Sequence, residues 1–500
     1  MHAARECRQH DIYERACCIL SKDAIPRRFA LQCLTDYRAT QPRANGFGRP
    51  EAGICAKKEA PMGKTYAILN ATLLDGTAEM KAKANHGVIV GPEGRIEQVG
   101  PSERLHVEKD MDVVDLGGRV LMPGLVNMHV HLCGDGKPTS AKAAGNLIDK
   151  VVSNPIGMAY LRHRIKKSAL NQLMSGVTTL RSVGDPGFAD VDVRDAINAG
   201  KYLGPRMLTS GTGVTVPGGH GAGLFARIAE TPDDARKIVR ACHDRRCDLV
   251  KLFITGGVFD AEVEGEPGVV RMSLDIAQAA CEEAHRLGMR TAAHIESTDG
   301  VLLGLKAGVD TIEHGAHLTS EIVKLFKKNG LGNSSSLTCT ISPAIPFAKL
   351  PPEKTHSSAV QKTNGDIVYK GIVEAASQAL KAGIPVGLGT DSSCPYVTHY
   401  DMWREVAYFQ KHVGTSNEFA LHTATLAGAN LLGVGEETGS IEPGKSADMI
   451  VLEGDPLEDI SALRNVSEVF MRGTRIDRPR VRHIAALDRE LDALMGSLQG

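Results

Sequence analysis

The sequence predicts an α/β protein: a (β/α)8 TIM-like barrel with a small β-sandwich domain built from both chain ends. Two observations predict this architecture. Between residues 123 and 435, short apolar runs alternate with helical patterns, as repeated βαβ units require. On either side of that stretch, short alternating runs are separated by glycine, asparagine and aspartate without helices between them, which is typical of strands and tight turns. A barrel with an appended domain also suits a chain of 500 residues.

Residues 1–61 differ from the rest of the chain. Their basic residues (11) outnumber the acidic ones (7), turn formers cluster in QPRANGFGRP, and no period of 2 or 3.6 residues persists. We expect either a disordered extension or an upstream segment that the mature protein lacks. The second interpretation takes Met62, which begins MGKTYAILNATLLDG, as the start of the folded protein.

The two flanking segments are expected to form one domain. YAILNATLLDG, HGVIVGPEGRIEQVG and MDVVDLGGRVLMPG read as strands and turns, and the pattern returns in GSIEPGKSADMIVLEGDPLEDI and VSEVFMRGTRI. We assign residues 62–122 and 436–476 to the β-sandwich and residues 123–435 to the barrel inserted between them. Residues 477–500 are left as a C-terminal helix or tail.

The barrel segment contains eight candidate strands. They are LVNMHVHL, VTTLRSVG, PRMLTSG, DLVKLFITGG, RTAAHIES, DTIEHG, LGNSSSLTCT and PVGLGTDSS. Two of the helices between them have recognisable ends. TPDDARKIVRACHDRRC begins at a cap, Thr231, and SLDIAQAACEEAHRLGM is expected to have Ser273 as its cap and Gly288 as its stop.

Composition excludes several classes of partner. With 58 basic and 59 acidic residues the formal net charge is −1, so no field favours nucleic acid or a membrane surface. No apolar run reaches the roughly 20 residues of a transmembrane helix, and the first residues lack the apolar region of a secretory signal. The eleven cysteines form no CxxC pair, which favours a reducing cytoplasm over a disulfide framework.

Six polar side chains stand where an apolar run ends, on predicted strands 1, 4, 5, 6 and 8. They are His129, His131, Lys251, His294, His314 and Asp391. Active sites of such barrels lie at the carboxyl ends of the strands, so we expect these six to converge. His129 and His131 are two apart and should point the same way on an extended strand. An HxH pair alone is weak evidence, and the four partners strengthen it.

Lys251 is the most diagnostic of the six, because burying an ammonium group is unfavourable. One interpretation is a salt-bridged or snorkelling lysine. The other is a neutral amine, favoured by desolvation, that captures carbon dioxide as a carbamate whose two oxygens bridge two divalent metals. His294 and His314 can complete the second metal's ligands, and Asp391 can bind one metal and pass a proton to the leaving amine.

These motifs together resemble the amidohydrolase superfamily over residues 64 to about 475. The resemblance rests on MPGLVNMHVH, KLFITGG, AAHIE, IEHG, GTD and IEPGKSADMIVLEGDPL. The chain is most similar to the branch with a carboxylated lysine, which resembles imidazolonepropionase-like proteins and includes Xaa-Pro and Xaa-Arg dipeptidases and an ochratoxin-hydrolysing amidase. The resemblance implies two divalent ions, most often zinc: His129, His131 and Asp391 on one, His294 and His314 on the other, and carboxylated Lys251 bridging them. It also implies a symmetric homo-oligomer.

The leading functional hypothesis is hydrolysis of an amide or peptide bond in a small, carboxylate-bearing substrate. Dipeptides and N-acyl amino acids such as ochratoxin fit this description, with a metal-bridging hydroxide as nucleophile. Ring opening of a cyclic amide remains an alternative. Deamination is less compatible with Lys251, because deaminases of the superfamily commonly use one metal without a bridging lysine. A non-catalytic scaffold is disfavoured because all six ligand positions are present.

Three further residues are candidates for contact with the substrate. His220 in TVPGGHGAG follows predicted strand 3 and would polarise the substrate carbonyl or hold a carboxylate, the alternative being a loop histidine that faces solvent. Tyr396 and His399 follow Asp391 and could line the pocket. Among the neighbours, Arg181 is expected to pair with Asp185, and Cys133 to be a small packed side chain instead of a ligand.

Overall fold

The computed structural model describes residues 64–138, 151–328 and 335–497. The predicted extension 1–61 lies outside these ranges. The strands within them are β1 (Tyr66–Leu73), β2 (Lys83–Val90), β3 (Ile96–Pro101), β4 (Asp112–Asp115), β5 (Val120–Pro123), β6 (Leu125–Val130), β7 (Val177–Ser182), β8 (Arg206–Thr209), β9 (Gly213–Thr215), β10 (Ala226–Ile228), β11 (Leu249–Phe253), β12 (Arg290–Ile295), β13 (Thr311–His314), β14 (Ser336–Cys339), β15 (Val386–Leu388), β16 (Met449–Leu452), β17 (Val466–Met471) and β18 (Thr474–Asp477).

Most helices lie between or beside the strands of the barrel segment. The α-helices are Pro155–Met174, Ala189–Asn198, Pro232–Asp244, Leu274–Arg286, Thr298–Ala307, Ser320–Phe326, Ala344–Lys349, Pro352–Thr355, Ala359–Lys381, Met402–Tyr408, Asn417–His422, Gly428–Leu431 and Ala485–Ser497. Short 3-10 turns occur at Ser102–Arg104, Pro186–Phe188, Val258–Asp260 and Ile460–Arg464, and π-helical turns at Phe409–Gly414 and Thr423–Ala427. None of the helices in the described ranges combines the length and apolar character needed to cross a membrane.

Strands from both ends of the chain form one mixed sheet. Its order is β18-β17-β16-β5-β1-β2-β3, with β4 paired to β1. The two ends join where β5 pairs antiparallel with β16. Side chains on alternate residues of these strands share a separate apolar core that includes Ile68, Val88, Met449 and Phe470. The predicted sandwich has two layers, whereas the hydrogen bonds join all eight strands into a single sheet.

The middle of the chain forms two parallel sheets, which confirms the predicted α/β class. One has the order β6-β7-β8 and the other β10-β9-β11-β12-β13-β14-β15. The eight predicted barrel strands correspond to β6, β7, β8, β11, β12, β13, β14 and β15. The sequence analysis missed β9 and β10, which are three residues each and pair with one another in parallel.

Backbone hydrogen bonds connect the two parallel sheets at both edges. Beyond the end of β15, Asp391 N–H donates to the carbonyl of His129 at 2.8 Å, and His131 N–H donates to the carbonyl of Ser392 at 3.1 Å. At the other edge of the three-stranded sheet, the N–H of Asp248, directly before β11, donates to the carbonyl of Thr209 in β8 at 2.8 Å. Because neighbouring strands run in the same direction, their carboxyl ends lie on one side of the molecule.

The two predicted helix starts differ in detail. Thr231 caps Pro232–Asp244 as expected, since its side chain accepts a hydrogen bond from Asp234 N–H. Ser273 precedes Leu274–Arg286, but its hydroxyl donates to the carboxylate of Asp275 and makes no capping bond to a backbone amide. Ser273 therefore occupies the predicted N-cap position, but a nearby carboxylate competes for its hydroxyl and the side-chain capping bond is not made.

Candidate metal centre

The structure brings the six predicted polar residues together on the side of the carboxyl strand ends. His129 lies in β6, Lys251 in β11, His294 in β12 and His314 at the end of β13. His131 directly follows β6, and Asp391 lies three residues beyond the end of β15. All six are buried, with exposed fractions between 1% and 8%. Burying so many polar groups in one place is unfavourable unless partners satisfy them, so this cluster is the candidate functional site.

The first group consists of His129, His131 and Asp391. The Oδ1 atom of Asp391 lies 3.4 Å from Nε2 of His129 and 3.5 Å from Nε2 of His131. Oδ1 makes no hydrogen bond within the described part of the chain although it is buried. Burial alone would raise the pKa of Asp391, but His129, His131 and His314 outweigh it and hold that pKa well below its usual range.

The second group consists of His294, His314 and a residue that the sequence analysis missed, Glu296. One potential ligand atom from each lies within 4.8 Å of those of the other two. The imidazole of His314 also connects the two groups, because its centroid is 4.6 Å from that of His294 and 4.9 Å from that of His129. Burial lowers the pKa values of His294 and His314 well below the ordinary value, which keeps both rings neutral and able to bind a cation.

Lys251 lies in β11, which pairs with β12, the strand that carries His294. Its Nζ atom is buried and has no hydrogen-bond partner among the described residues, and it lies 5.3 Å from the centroid of the Phe253 ring. Burial lowers the pKa of Lys251 to about 8, against the opposing effect of Glu313 and Asp391. The salt-bridged interpretation of Lys251 is therefore wrong: no carboxylate in the described ranges pairs with its ammonium group.

The histidine rings are oriented through their Nδ1 atoms. Nδ1–H of His129 donates to Glu313 at 2.7 Å, and Nδ1–H of His131 donates to the carbonyl of Gly184 at 2.5 Å. Nδ1 of His314 lies 2.7 Å from the hydroxyl of Thr340. Metal-binding histidines usually engage their second ring nitrogen in this way, so Nε2 of these three rings is left for a ligand. In His294, by contrast, Nε2 lies 3.2 Å from the carbonyl of Gly256.

Arg181 pairs with Glu313, and the predicted pairing with Asp185 was wrong. Arg181 Nη2 donates to Glu313 Oε1 at 2.6 Å, and both side chains are buried. Burial raises the pKa of Glu313, but Arg181 and His129 outweigh it and lower that pKa to about 2. Asp185 accepts hydrogen bonds from the backbone amides of Leu132 and Cys133 instead. The two carboxylates therefore support the strand that carries His129 and His131 from different sides.

Two of the candidate ligands have unusual backbone conformations. His314 has φ 68° and Asp391 has φ 54°, in the left-handed region that non-glycine residues rarely adopt. Such conformations cost of order 1–3 kcal/mol each and are concentrated at functional sites. The strain indicates that the surrounding structure places these two side chains, whatever their local preference.

His220 lies beside the second group. Its ring is stacked on that of His294, with centroids 4.2 Å apart and an interplanar angle of 2°. Nδ1–H of His220 donates to Asp260 at 2.6 Å, and Asp260 also accepts from Gly257 N–H at 2.9 Å. The side chain of His220 is 18% exposed. It is thus a fixed polar group at the edge of the centre and not a freely solvated loop histidine.

The other two candidates for substrate contact use their polar groups within the protein. The hydroxyl of Tyr396 donates to the carbonyl of Lys354 at 2.9 Å, and Nε2–H of His399 donates to the carbonyl of Gly134 at 2.9 Å. These bonds indicate structural roles in the loops around the site. Cys133 is partly buried and unpaired, and burial raises the pKa of its thiol, so a thiolate ligand is not favoured there.

Three functional neighbours were missed, and two of them left a trace in the sequence. Glu296 lies two residues after His294, the spacing that places two side chains on the same side of a strand. Glu313 is a charged residue inside the buried run of β13. Asp260 is 40 residues from His220, and nothing in its surroundings in the sequence indicates the contact.

The residues present fit two divalent cations. Each group offers two imidazoles and a carboxylate, a donor set that zinc and similar ions accept. The buried Asp391 Oδ1 and Lys251 Nζ both lack hydrogen bonds within the described ranges. A cation beside His129 and His131 would supply the partner that Asp391 Oδ1 lacks.

Comparisons with known proteins agree with this chemistry. The model of the amidohydrolase family matches residues 120–476. Ochratoxinase of Aspergillus niger is 26% identical over 394 residues, which cover 72% of this chain and 76% of the relative.

Two solved structures extend the similarity. A prolidase-like protein of Bifidobacterium longum has 37% identity and a TM-score of 0.77, covering 87% of this chain and 100% of that chain. A Xaa-Pro dipeptidase with bound methionine in the active site has 26% identity and a TM-score of 0.71, covering 83% and 100%. These matches confirm the resemblance inferred from the motifs. The chain therefore belongs to the amidohydrolase family and is a hydrolase that acts on C–N bonds.

Proposed function

We propose that this chain is a binuclear amidohydrolase that cleaves the amide or peptide bond of a small substrate bearing a carboxylate. The observation that carries the proposal is the convergence of two groups of buried candidate ligands around an unpaired, buried lysine. A single structural histidine or lysine has many explanations. A cluster of five imidazole and carboxylate groups with one lysine, all at the same strand ends, has few explanations.

We also propose how the two domains around the site are built. The two parallel sheets would form one closed barrel of eight strands, with residues 123–435 as its domain. The mixed sheet from residues 62–122 and 436–476 would form the second domain. The hydrogen bonds at both edges of the parallel sheets support closure, and the position of the candidate ligands is the one that active sites occupy in such barrels.

One ion would be held by His129, His131 and Asp391, and the other by His294 and His314. Carboxylated Lys251 would be shared between the two ions. Zinc is the ion most often found in proteins with such ligands. Two bound divalent ions supply a hydroxide nucleophile at neutral pH and a Lewis acid for the scissile carbonyl.

Lys251 is suited to carboxylation. Because burial brings its pKa to about 8, a useful fraction of the amine is neutral near neutral pH. The Nζ lone pair attacks the carbon of carbon dioxide, an N–C bond forms, and one proton leaves to solvent. The resulting carbamate carries one negative charge. Where the buried ammonium form of Lys251 would repel cations, the carbamate attracts them.

Asp391 is the proposed general base and acid. It remains ionised because neighbouring histidines hold its pKa well below the usual range, so it can accept the proton of the attacking water. The protonated carboxyl would then deliver that proton to the leaving nitrogen. The nucleophile's proton thereby leaves with the amine product.

His220 is the proposed residue for binding the substrate carbonyl or carboxylate. Because Asp260 engages Nδ1, the substrate would meet Nε2. From Nε2, His220 would donate a hydrogen bond to an oxygen of the substrate. The stacking of His220 on His294 fixes the distance between this donor and the second group of ligands.

The substrate class follows from the relatives. Prolidases and Xaa-Pro dipeptidases are named for cleavage of dipeptides, and ochratoxinase is named for ochratoxin. We therefore propose dipeptides and N-acyl amino acids as the classes from which the substrate comes.

The test is a hydrolysis panel with the zinc-loaded full chain. It contains Xaa-Pro and other dipeptides, N-acyl amino acids and ochratoxin A, with cyclic amides as a separate arm and Asp391→Asn as the inactive control. We expect one carboxylate-bearing class to be cleaved and the control to lose at least ~100-fold in kcat/KM. Cleavage of the cyclic amides alone would contradict the proposal.

A further inference from the structure

Glu296 adjoins the second group of candidate ligands. It follows His294 by two residues at the end of β12, so both side chains leave the strand on the same side. One of its carboxylate oxygens lies within 4.8 Å of the candidate ligand atoms of both His294 and His314. The residue is partly buried.

The carboxylate of Glu296 is held by the backbone. Val258 N–H donates to Oε2 at 3.2 Å, and Val258 begins the 3-10 turn Val258–Asp260 whose aspartate orients His220. One oxygen of such a carboxylate accepts a hydrogen bond from a backbone amide, and the other oxygen is left for a metal ion. Metal ligands typically have a supporting hydrogen bond of this kind.

The charge of Glu296 has no cationic partner in the ranges that the structure describes. An ionised carboxylate placed there is unfavourable unless a cation accompanies it. A divalent ion beside His294 and His314 would be that cation.

We propose that Glu296 is a third protein ligand of the second ion, beside His294 and His314. The inference rests on the binuclear function proposed above and deepens it. Each ion would then have two imidazoles and one carboxylate from the chain itself. Consequently the second ion would be retained even when Lys251 is not carboxylated, and the carbamate would complete a centre that is already metal-loaded.

Zinc titration of the chelated, metal-free full chain tests this ligand assignment. The variants are Glu296→Gln, which keeps the size of the side chain, His294→Ala as a positive control, and Glu262→Gln as the matched control. Glu262 is exposed in the same loop region. Affinities come from competition with a chromophoric chelator, and stoichiometry from elemental analysis after gel filtration. Circular dichroism of the metal-free forms checks folding.

We expect two zinc ions per chain in the wild type and in Glu262→Gln. Glu296→Gln should bind its second ion at least ~10-fold more weakly, as His294→Ala does, and should retain about one ion through gel filtration. If Glu296→Gln does not fold, Glu296→Asp replaces it, and the shorter carboxylate should weaken the same ion.

Two outcomes contradict the inference, and they can be told apart. Two ions bound by Glu296→Gln with wild-type affinity would remove Glu296 from the ligands and leave the binuclear function intact. Fewer than two ions in the wild type at saturating zinc would overturn the binuclear function, and the inference with it.

Discussion

Lys251 shows how burial determines the chemistry of a single residue. Its amine lies in β11 among apolar neighbours, without a hydrogen bond in the described ranges, and its pKa falls to about 8 because the charged form is poorly solvated there. A lysine at the protein surface stays protonated until far higher pH. Burial disfavours the ammonium form of Lys251 and therefore favours the neutral amine, which is the nucleophile.

Carboxylation of Lys251 should increase as pH rises from 7 to 9. The pKa is lowered, so the neutral amine becomes the major form as pH passes through about 8. The measurement is ¹³C NMR of the metal-free chain in ¹³C-labelled bicarbonate, with Lys251→Met as the control that removes the resonance. A carbamate signal of equal size in both proteins would show that Lys251 is not the modified residue.

Glu313→Gln should weaken zinc binding and destabilise the fold. The change removes the carboxylate that accepts Nδ1–H of His129 and pairs with buried Arg181. We expect about 10–100-fold weaker binding of the first ion, and a loss of about 3–5 kcal/mol in the free energy of unfolding because Arg181 is left unpaired.

Chelator competition and urea unfolding measure the two effects. Glu321→Gln is the control, because Glu321 is an exposed residue paired with Lys306 at 3.2 Å. An affinity for zinc equal to that of the control variant would mean that Glu313 does not orient His129.

The location of individual residues could be predicted from the sequence where a rule about strand ends applies. The carboxyl ends of parallel strands share one side, and that rule placed His129, Lys251 and Asp391 together without any knowledge of contacts. It failed for Arg181, which was paired with its sequence neighbour Asp185. The true partner, Glu313, is 132 residues away on β13, and only the fold brings the two together.

At the scale of elements, the loop after β11 connects the strand of Lys251 to the groups beside the proposed second ion. Its two glycines differ in the space around them. A Cβ at Gly257 would lie 3.1 Å from Cε1 of His220 and 3.1 Å from Nε2 of His294, whereas at Gly256 the nearest atom would be 3.4 Å away. Gly257 therefore allows the stacked histidines to approach the backbone closely.

Gly257→Ala should impair catalysis more than Gly256→Ala. The added methyl group pushes His220 or His294 by a few tenths of an ångström, and displacements approaching 1 Å can cost about 100-fold in rate. We expect kcat/KM to fall at least ~10-fold in Gly257→Ala, with the melting temperatures of both variants close to wild type. Equal kinetics in the two variants would contradict this role of the loop.

The elements themselves were largely predictable. All eight strands predicted between residues 123 and 435 are present in the parallel sheets, since a buried parallel strand shows as a run of apolar residues. β9 and β10 were missed because three residues are too few for a periodic pattern. Ser273 was correctly predicted as the N-cap residue, but the capping pattern does not show that its hydroxyl bonds to Asp275 instead of a backbone amide.

At the scale of the whole molecule, the chain closes on itself. β5 and β16, from the two ends of the chain, pair over four residues each, so the mixed sheet holds the start and the end of the barrel segment together. This arrangement explains why the family match extends to residue 476, beyond the last barrel strand. The sequence predicted the joining of the ends because the alternating pattern recurs on both sides, but not the hydrogen-bonded order of the strands.

Removal of the metals should lower the melting temperature of the whole chain. Each ion that binds only the folded state contributes about 2.7 kcal/mol when its free concentration is 100 times its Kd. Scanning calorimetry of the chelated protein, before and after zinc is restored, measures this contribution. A double variant, His129→Ala with His294→Ala, should show no recovery on adding zinc. A melting temperature that does not respond to chelation would contradict two metal sites in the core.

The central claim is that two ions are bound by these particular side chains. Anomalous X-ray diffraction at the zinc edge, from crystals of the zinc-loaded full chain, tests it most directly. We predict two anomalous peaks, one bounded by His129, His131 and Asp391 and the other by His294 and His314, with Lys251 between them. A single peak, or peaks away from these residues, would contradict the account.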